Sequence, residues 1–339
     1  MHPVVKSFRE NFVEGRFVIL LNTLLVIGMR ILLYKNCGLP EIYNTDDIYL
    51  WKPVAHLFED PLISLSASTI SVIIISWILF SINNRYSLIR SRSNLPYTVP
   101  LFLLSLHPYL LVMTGNYIAI IIILIALTPL LESYQKPDSY LYSFRSSILI
   151  AVSSLFQIYA LILIPLWWRG EKSMRGPQLN SFLASLFGVL LVYVTMFSFY
   201  FVSDNIADFL QPMHYFIAFS IPDIPDYSIF EWVAIFIVAV IFIINIILSA
   251  KEYVRDKVLT LSLMRFIVYM VVVLLLLQIL FWKETLFYII LAVALLSFLS
   301  SYLYSKTTSK TDIYIAYSLL FLLILFYLSQ YFPQTFLIG

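Results

Sequence analysis

Charged side chains are scarce in this chain. Asp, Glu, Lys and Arg make up 12% of its 339 residues, whereas soluble domains carry about 25%. Hydrophobic residues reach 61%, and the mean hydropathy is +0.91. No water-soluble core could bury so much apolar surface, so the solvent must be lipid. This excludes a soluble enzyme, a nucleic-acid-binding domain and a disordered chain.

Cysteine is nearly absent as well. Cys37 is the one cysteine, so the chain cannot form an internal disulfide or a cysteine-rich zinc or iron–sulfur site. The sequence also lacks a Walker loop, a G-x-G-x-x-G turn and a G-x-S-x-G elbow, which excludes cytosolic nucleotide hydrolysis and serine-hydrolase chemistry. No His and carboxylate share a convincing metal spacing, so we predict no metal and no cofactor.

What the sequence does contain is a series of long apolar runs. A run of about 17–25 apolar residues suffices to cross a bilayer as a helix. Little chain separates the runs, so we predict a single all-α polytopic membrane domain over 1–339, with about 9–10 transmembrane segments and no separate soluble domain. The expected segments are 17–34, 64–83, 97–114, 116–132, 146–168, 181–202, 229–249, 265–282, 285–304 and 312–331.

Lysine and arginine are concentrated in alternate loops. Because short cytoplasmic loops are enriched in these residues, their loops are expected in the cytoplasm. We therefore predict a multi-pass protein of the inner (cytoplasmic) membrane with a cytoplasmic N-terminus and an outer C-terminus. The long loops 35–63 and 203–228 then lie outside. All but four of the 21 Lys and Arg residues fall in 1–16, 84–96, 133–145, 169–180, 250–265 and 305–311.

The segment 146–168 determines whether this orientation is consistent. Simple alternation would place 169–180 outside, although it carries Arg169, Lys172 and Arg175. The conflict disappears if 146–168 enters and returns as a re-entrant pair of short helices that breaks near Phe156 and Gln157. Broken helices at membrane depth are tolerated only where they are buried in protein or line a wet cavity. The alternative is a plain span followed by a misplaced basic loop.

The first outer loop carries an acidic pair, Asp46 and Asp47. The apolar and aromatic residues that follow suit a short amphipathic helix lying in the interface, and carboxylates are favourable in its first turn. Such a carboxylate can accept the proton of an acceptor hydroxyl as a general base. Two adjacent carboxylates can also hold a divalent cation, although we do not predict one. The alternative is that both residues only cap the helix and remain solvated.

A second group of candidates could bind a phosphate or line a polar cavity. Arg30 lies inside the first span, where an arginine is costly unless it pairs or contacts a ligand. With Lys52 and Lys283 it could bind a phosphate on the outer side, or it could snorkel to the headgroups. The residues that could line a cavity, or simply pack or stay solvated, are His56, His107, Gln157, Tyr159 and His214.

These features together resemble the GT-C class of membrane glycosyltransferases. The shared order is a first span, an outer loop with acidic residues at the start of an interfacial helix, and many further spans. The stretch 147–165 resembles the short-helix pair of that class, and His107-Pro-Tyr to Gly115 resembles its turn between the third and fourth spans. The resemblance covers the chain to about residue 200. The stretch 145–208 is also similar to a small family of uncharacterised bacterial multispanning membrane proteins.

The resemblance implies a GT-C-like fold and an activity. The protein would transfer a sugar, mannose or another hexose, from a polyprenyl-phosphate carrier to an acceptor hydroxyl on the outer face, with inversion. Asp46 or Asp47 would be the base, and Arg30 with Lys52 or Lys283 would hold the phosphate. The expected partners are membrane lipids, the polyprenyl-phosphate-linked sugar, and an acceptor protein or envelope glycan.

Two alternatives from other classes stay open. One is a transporter or flippase for lipid-linked substrates, and the other is a non-catalytic membrane subunit of a larger assembly. The chain also departs from many GT-C enzymes, because it carries neither a soluble outer domain nor a longer set of spans.

Overall fold

In a computed structural model, the chain folds into a bundle of α-helices. The residues that the structure describes are 3–15, 17–40, 48–89, 93–136, 140–216, 229–254, 256–281, 286–307 and 309–331. Within these ranges, every element of regular secondary structure is a helix. The predicted all-α fold class is therefore confirmed for the described part of the chain.

The helices follow one another with short connections. In the first half they are α1 (Pro3–Phe8), α2 (Val18–Cys37), α3 (Lys52–Ala55), α4 (Pro61–Tyr86), α5 (Leu95–Leu103), α6 (Gly115–Glu132) and α7 (Tyr140–Ser154). In the second half they are α8 (Leu163–Arg175), α9 (Leu179–Val202), α10 (Ile206–Leu210), α11 (Ile229–Tyr253), α12 (Val258–Leu280), α13 (Phe287–Lys306) and α14 (Lys310–Ser329). Short 3₁₀ turns occur at His56–Phe58, Pro108–Leu111, Ile158–Ile162 and Gln211–Phe216, and a π-helical turn at Arg9–Val13.

Seven of these helices are long and apolar enough to cross a membrane. They are α2, α4, α6, α9, α12, α13 and α14. Their number makes the chain a multi-pass membrane protein, as the apolar runs predict. Helix α13 lies at the centre of the bundle, because 78% of its most apolar window is buried, whereas the figure is 17% for α2, α9 and α14.

Contacts between helix termini define two ends of the bundle. Arg85 at the end of α4 pairs with Glu132 at the end of α6, with the two atoms 2.6 Å apart. The described cations at this end, which we call the basic end, are Lys6, Arg9, Arg85, Lys136, Arg145, Arg169, Lys172, Arg175, Lys251, Lys257, Arg265, Lys306 and Lys310. The other end, which we call the opposite end, has Lys35 and Lys52 among its described residues.

The prediction of one straight span over 97–114 is wrong. Helix α5 ends at Leu103, and residues 104–114 are non-helical except for the 3₁₀ turn. Pro100 lies inside α5 and Pro108 follows it, and neither has the N–H that a continuous helix needs. Nine residues of helix rise only about 14 Å, less than half the hydrocarbon thickness. The unwound part is buried within the bundle rather than exposed to lipid, as shown by Leu104 and Leu111.

The predicted break near Phe156 and Gln157 is confirmed. Helix α7 ends at Ser154 and α8 begins at Leu163, with a 3₁₀ turn between them. Ser143 near the start of α7 donates a hydrogen bond to the Glu171 carboxylate near the end of α8, at 3.0 Å. The two helices therefore run antiparallel and form a hairpin that returns to the basic end. This removes the conflict between simple alternation and the basic loop 169–180.

Small residues set the hairpin against its neighbour α9. Ser181, Ser185 and Gly188 form a buried stripe on α9. A Cβ atom at Gly188 would lie 2.2 Å from the Ser147 hydroxyl of α7. Close backbone approach through small residues is a usual way for helices to associate in lipid. This packing places α9 against the outer side of the hairpin, whose other side packs on α6 and α12 and whose apex lies at the opposite end.

Candidate functional site

Three separated segments meet at the opposite end. The Leu50 amide donates to the Leu155 carbonyl at 2.9 Å, which joins the loop between α2 and α3 to the hairpin apex. A Cβ atom at Gly115, the first residue of α6, would lie 2.5 Å from the Phe156 carbonyl and 3.1 Å from the Trp51 ring. Only glycine fits between these groups. We call the contacts among Leu50, Trp51, Gly115, Leu155 and Phe156 the apex junction.

The loop segment in the apex junction is held firmly by protein. Ile48, Tyr49 and Trp51 are all buried, and the Trp51 ring stacks on Phe58 with 5.5 Å between centroids. The Tyr49 hydroxyl donates to the Phe209 carbonyl at 2.9 Å. Burial raises the pKa of Tyr49 to about 12, so this hydroxyl remains a neutral donor at physiological pH. The segment therefore packs as part of the bundle rather than resting on its surface.

The predicted base and one predicted cation lie outside the described residues. These are Asp46, Asp47 and Lys283. Ile48, which follows Asp47 in the sequence, is fully buried. The described part of the predicted interfacial helix is two short turns, Lys52–Ala55 and His56–Phe58.

Gln157 and Tyr159 lie at the hairpin apex, as predicted, and are buried in protein. The Gln157 amide donates to the Asn116 side-chain oxygen at 2.6 Å. The Tyr159 hydroxyl donates to the Tyr215 carbonyl, and Tyr288 donates to the Tyr159 carbonyl, both at 3.3 Å. Both residues thus connect elements at the opposite end. Sequence reasoning missed Asn116 as a partner, although a polar residue after Gly115 in an apolar run was the available signal.

Arg30 has a structural environment that differs from the predicted phosphate site. Its side chain is 1% exposed. Each of its five N–H groups has a protein acceptor: Thr69 Oγ1 at 2.9 Å, the Leu104 carbonyl at 3.1 Å, Ser105 Oγ at 3.3 Å, Ser68 Oγ at 2.7 Å and the Leu110 carbonyl at 2.9 Å. Since guanidinium carries five donors, none remains for a phosphate. We therefore replace the predicted phosphate-binding role of Arg30 with a structural one.

The unwound segment 104–114 explains why an arginine lies at this depth. Carbonyl groups outside a helix need donors where lipid excludes water. Arg30 supplies donors to Leu104 and Leu110, and the Tyr117 hydroxyl also donates to Leu110 at 2.7 Å. The Ser64 hydroxyl accepts the Met113 amide at 2.8 Å. Pro100 and Pro108 in the predicted span 97–114 were the sequence signal that this segment is not a continuous helix.

The remaining predicted residues lie near the surface. The Lys52 ammonium is 3.9 Å from the Asp208 carboxylate of α10, and both side chains are about half exposed. His56 and His214 are exposed. His107 accepts the Tyr109 amide at Nδ1 and stacks between Tyr109 and Phe326 of α14. The described contacts therefore place His107 beside α14, whereas Gln157 and Tyr159 contact other elements.

No metal cluster is evident in the described part of the chain. Within it, no group of three or more His, Cys, Asp and Glu residues is placed to hold a metal ion. One small closed cavity of about 10 Å³ lies among α4, α6, α12 and α13. Leucine, isoleucine and phenylalanine side chains line it, so it has no polar partner for a water molecule.

No protein-family model matches the chain, and no curated protein or solved structure matches it significantly. The residues and their geometry are therefore what bears on function.

Proposed function

We propose that this protein is an integral membrane glycosyltransferase of the GT-C type. It would move a sugar, mannose or another hexose, from a polyprenyl-phosphate carrier to an acceptor hydroxyl. The observation that supports this proposal is the apex junction. The chain that immediately follows Asp46 and Asp47 is buried and hydrogen-bonded to the break of the helical hairpin.

An anchored loop is what a catalytic base requires. A base must be held within hydrogen-bond reach of the hydroxyl that it deprotonates, and positioning contributes much of the rate enhancement. A solvated helix cap would not need Ile48, Tyr49 and Trp51 to be buried. The observed burial is therefore better suited to a carboxylate with a fixed position than to one that only caps a helix.

The proposed reaction is a direct displacement. The acceptor oxygen attacks the anomeric carbon of the sugar, its proton passes to Asp46 or Asp47, and the bond from that carbon to the phosphate oxygen breaks. The polyprenyl phosphate leaves with the bonding electrons. Lys52 or Lys283 would stabilise the charge that develops on it. Arg30 acts only indirectly, by holding the segment between α5 and α6.

The face on which transfer occurs follows from the distribution of charge. The basic end is expected in the cytoplasm, because Lys and Arg are enriched in short cytoplasmic loops. The apex junction lies at the opposite end, so the acceptor would be outside, as an acceptor protein or an envelope glycan. Grooves between the apolar helices would bind the prenyl chain of the donor.

One observation favours a second function, that of a non-catalytic membrane subunit of a larger assembly. The Arg30 guanidinium is fully used within the protein, and Lys52 lies beside Asp208. Within the described residues, the opposite end then offers only the exposed Lys35 besides Lys52 as a cation for a leaving phosphate. A subunit that only packs against partners would need none.

The test is to replace Asp46→Asn and Asp47→Asn, singly and together, in the full-length protein in nanodiscs. Release of polyprenyl phosphate from polyprenyl-phosphate mannose is measured with a membrane extract as the source of acceptors. We expect the double variant to lose at least about 100-fold in turnover, the usual contribution of a general base, while retaining the donor. Glu59→Gln, which removes an exposed carboxylate of the same loop, should leave turnover unchanged.

The alternatives predict different results. Unchanged turnover in the double variant would reject the acidic pair as the base. Absence of turnover in the wild-type protein, together with stable co-purification of other membrane proteins, would support the subunit. Movement of the intact donor across a vesicle membrane without transfer would support the flippase.

A further inference from the structure

A short segment lies over the opposite end of the bundle after α9. It comprises α10 and the 3₁₀ turn Gln211–Phe216, and we call residues 206–216 the strap. Asp204, which follows the end of α9, has a left-handed backbone with φ of 53°. Aspartate adopts this conformation more readily than most residues other than glycine. The strap therefore begins at a tight turn rather than as a continuation of α9.

The strap contacts two separate segments at the opposite end. The Tyr49 hydroxyl donates to the Phe209 carbonyl at 2.9 Å, and the rings of these two residues lie 5.6 Å apart. At the hairpin apex, the Tyr159 hydroxyl donates to the Tyr215 carbonyl at 3.3 Å, and Phe216 lies edge-on to the Tyr159 ring. Tyr49 and Tyr159 are both buried. The strap thus covers the loop between α2 and α3 together with the hairpin apex.

One charged contact joins the strap to this loop. The Lys52 ammonium is 3.9 Å from the Asp208 carboxylate, and each side chain is nearly half exposed. This separation is longer than a hydrogen bond, and exposed ion pairs add little stability. The pair therefore holds the strap only weakly, so another anion can compete for the ammonium.

We propose that Asp208 keeps the strap closed by occupying Lys52, and that the phosphate of a lipid-linked sugar displaces Asp208 and releases the strap. This regulation rests on the proposed function, in which Lys52 is a candidate for binding the leaving phosphate. Because Lys52 is half exposed while the strap is closed, the phosphate can reach it. Donor binding then favours the open state, because the phosphate takes the ammonium only when Asp208 leaves it. The acceptor would reach the apex junction after the donor has bound.

Distances between spin labels on the full-length protein in nanodiscs test whether the strap opens. One label is attached to the native Cys37 and the other to Leu210→Cys in the strap, since both positions are exposed. Without ligand we expect one distance, and with polyprenyl-phosphate mannose in the absence of acceptor we expect a second. Polyprenol and inorganic phosphate each lack part of the donor and should leave the first distance unchanged.

Two variants separate the ion pair from general charge. Asp208→Asn should show the second distance before any ligand is added. Asp204→Asn is the matched control, because it removes an exposed carboxylate beside the strap and keeps a residue that tolerates the left-handed turn. This control should retain the first distance until the donor is added.

The affinity for the donor tests the competition itself. Asp208→Asn should tighten the apparent Kd for polyprenyl-phosphate mannose by about two- to fivefold, which corresponds to the loss of one exposed ion pair. Lys52→Gln should weaken binding, and Asp208→Asn should have no further effect in the Lys52→Gln background. Asp204→Asn should bind as the wild type does.

The results distinguish failure of this regulation from failure of the proposed function. The regulation alone is rejected if the wild type turns over but the donor leaves the label distance unchanged, or if Asp208→Asn binds the donor no more tightly than Asp204→Asn does. An equal response to inorganic phosphate or to polyprenol would also reject it, because the displacing group would not be a lipid-linked phosphate. A wild-type protein that neither retains the donor nor turns over would reject both.

Discussion

Arg30 shows how a charge at membrane depth can stabilise a fold. An arginine inside a bilayer is costly, and such residues usually face the protein interior and pair there. Here the partners are the carbonyls of Leu104 and Leu110, which the proline-rich third apolar run leaves without helical hydrogen bonds. Guanidinium has a planar fork of five donors, whereas ammonium has three on a point charge. The geometry therefore requires arginine and not simply a cation.

We predict that Arg30→Lys destabilises the protein. Three donors cannot satisfy five acceptors, and each buried acceptor left without a donor costs about 1–3 kcal/mol. The thermal unfolding midpoint in detergent should fall, whereas Lys35→Gln, on the exposed surface of the same helix, should leave it unchanged. If Arg30→Lys unfolds as the wild type does but no longer retains polyprenyl-phosphate mannose, the phosphate-binding role would be restored.

Glycine at position 115 gives a second prediction at the residue scale. Gly115→Ala would place a methyl group 2.5 Å from the Phe156 carbonyl and against Trp51, so the apex junction must open. We expect loss of stability and, if the proposed transfer is correct, loss of turnover. Gly28→Ala is the matched control, because nothing lies within 4 Å of its Cβ position in α2.

The two glycine variants should change the stability of the protein in opposite directions. Alanine is favoured over glycine within a helix by up to about 1 kcal/mol, so Gly28→Ala should be neutral or slightly stabilising. A Gly115→Ala protein with unchanged unfolding midpoint and turnover would mean that the apex junction has little importance.

At the scale of elements, the sequence predicted one break and missed another. The hairpin break was accessible because basic residues in 169–180 conflicted with a single crossing and Gln157 interrupted the apolar run. The unwinding after α5 could not be predicted from the sequence, because 97–114 is apolar enough to pass as a transmembrane span. What decides its conformation is a set of long-range partners, Arg30, Ser64 and Ser68, which lie on other helices. Hydropathy reports burial and not the path of the backbone.

The candidate site was predictable to a similar extent. Gln157 and Tyr159 were placed at the hairpin apex by the break alone. The sequence could not predict that Trp51 and Gly115 contact that apex, because these three segments are far apart along the chain. It also could not predict that the donors of Arg30 are all used, since their acceptors are mostly backbone carbonyls and serines.

The base of the hairpin can be tested through its buried ion pair. Arg175 lies 2.8 Å from the Glu171 carboxylate, their side chains are 2% and 8% exposed, and Ser143 of α7 donates to the same carboxylate. Removal of one member of a buried pair leaves an uncompensated charge, which typically costs about 3–5 kcal/mol. We expect Glu171→Gln to reduce the free energy of unfolding by about this amount and therefore to lower the thermal unfolding midpoint.

Lys172→Gln is the control for this prediction, because Lys172 is exposed one residue away. The variant Glu171→Met with Arg175→Met removes both charges and should recover part of the lost stability. If Glu171→Gln and Lys172→Gln have equal effects, the contacts of this ion pair with Ser143 of α7 do not stabilise the base of the hairpin.

At the scale of the whole molecule, the two ends have different chemistry. The basic end carries nearly all the described cations, while the opposite end carries the apex junction and the exposed Cys37. A protein that transfers a group on one face of a membrane needs such an asymmetry, since it must insert in one orientation. The distribution of Lys and Arg sets that orientation during insertion.

Cysteine labelling provides the test of orientation. Cys37 at the opposite end is exposed and serves as an internal reporter. Ser173 is exposed near the end of α8, and Ser173→Cys in a Cys37→Ser background reports the basic end. With a membrane-impermeant maleimide on intact cells, we expect Cys37 to label and Ser173→Cys to label only after permeabilisation. The reverse pattern would place the apex junction in the cytoplasm, where an acceptor outside the cell membrane could not reach it. Labelling of both positions from outside would contradict the antiparallel hairpin itself, because the return of α8 to the basic end keeps the two reporters on opposite sides.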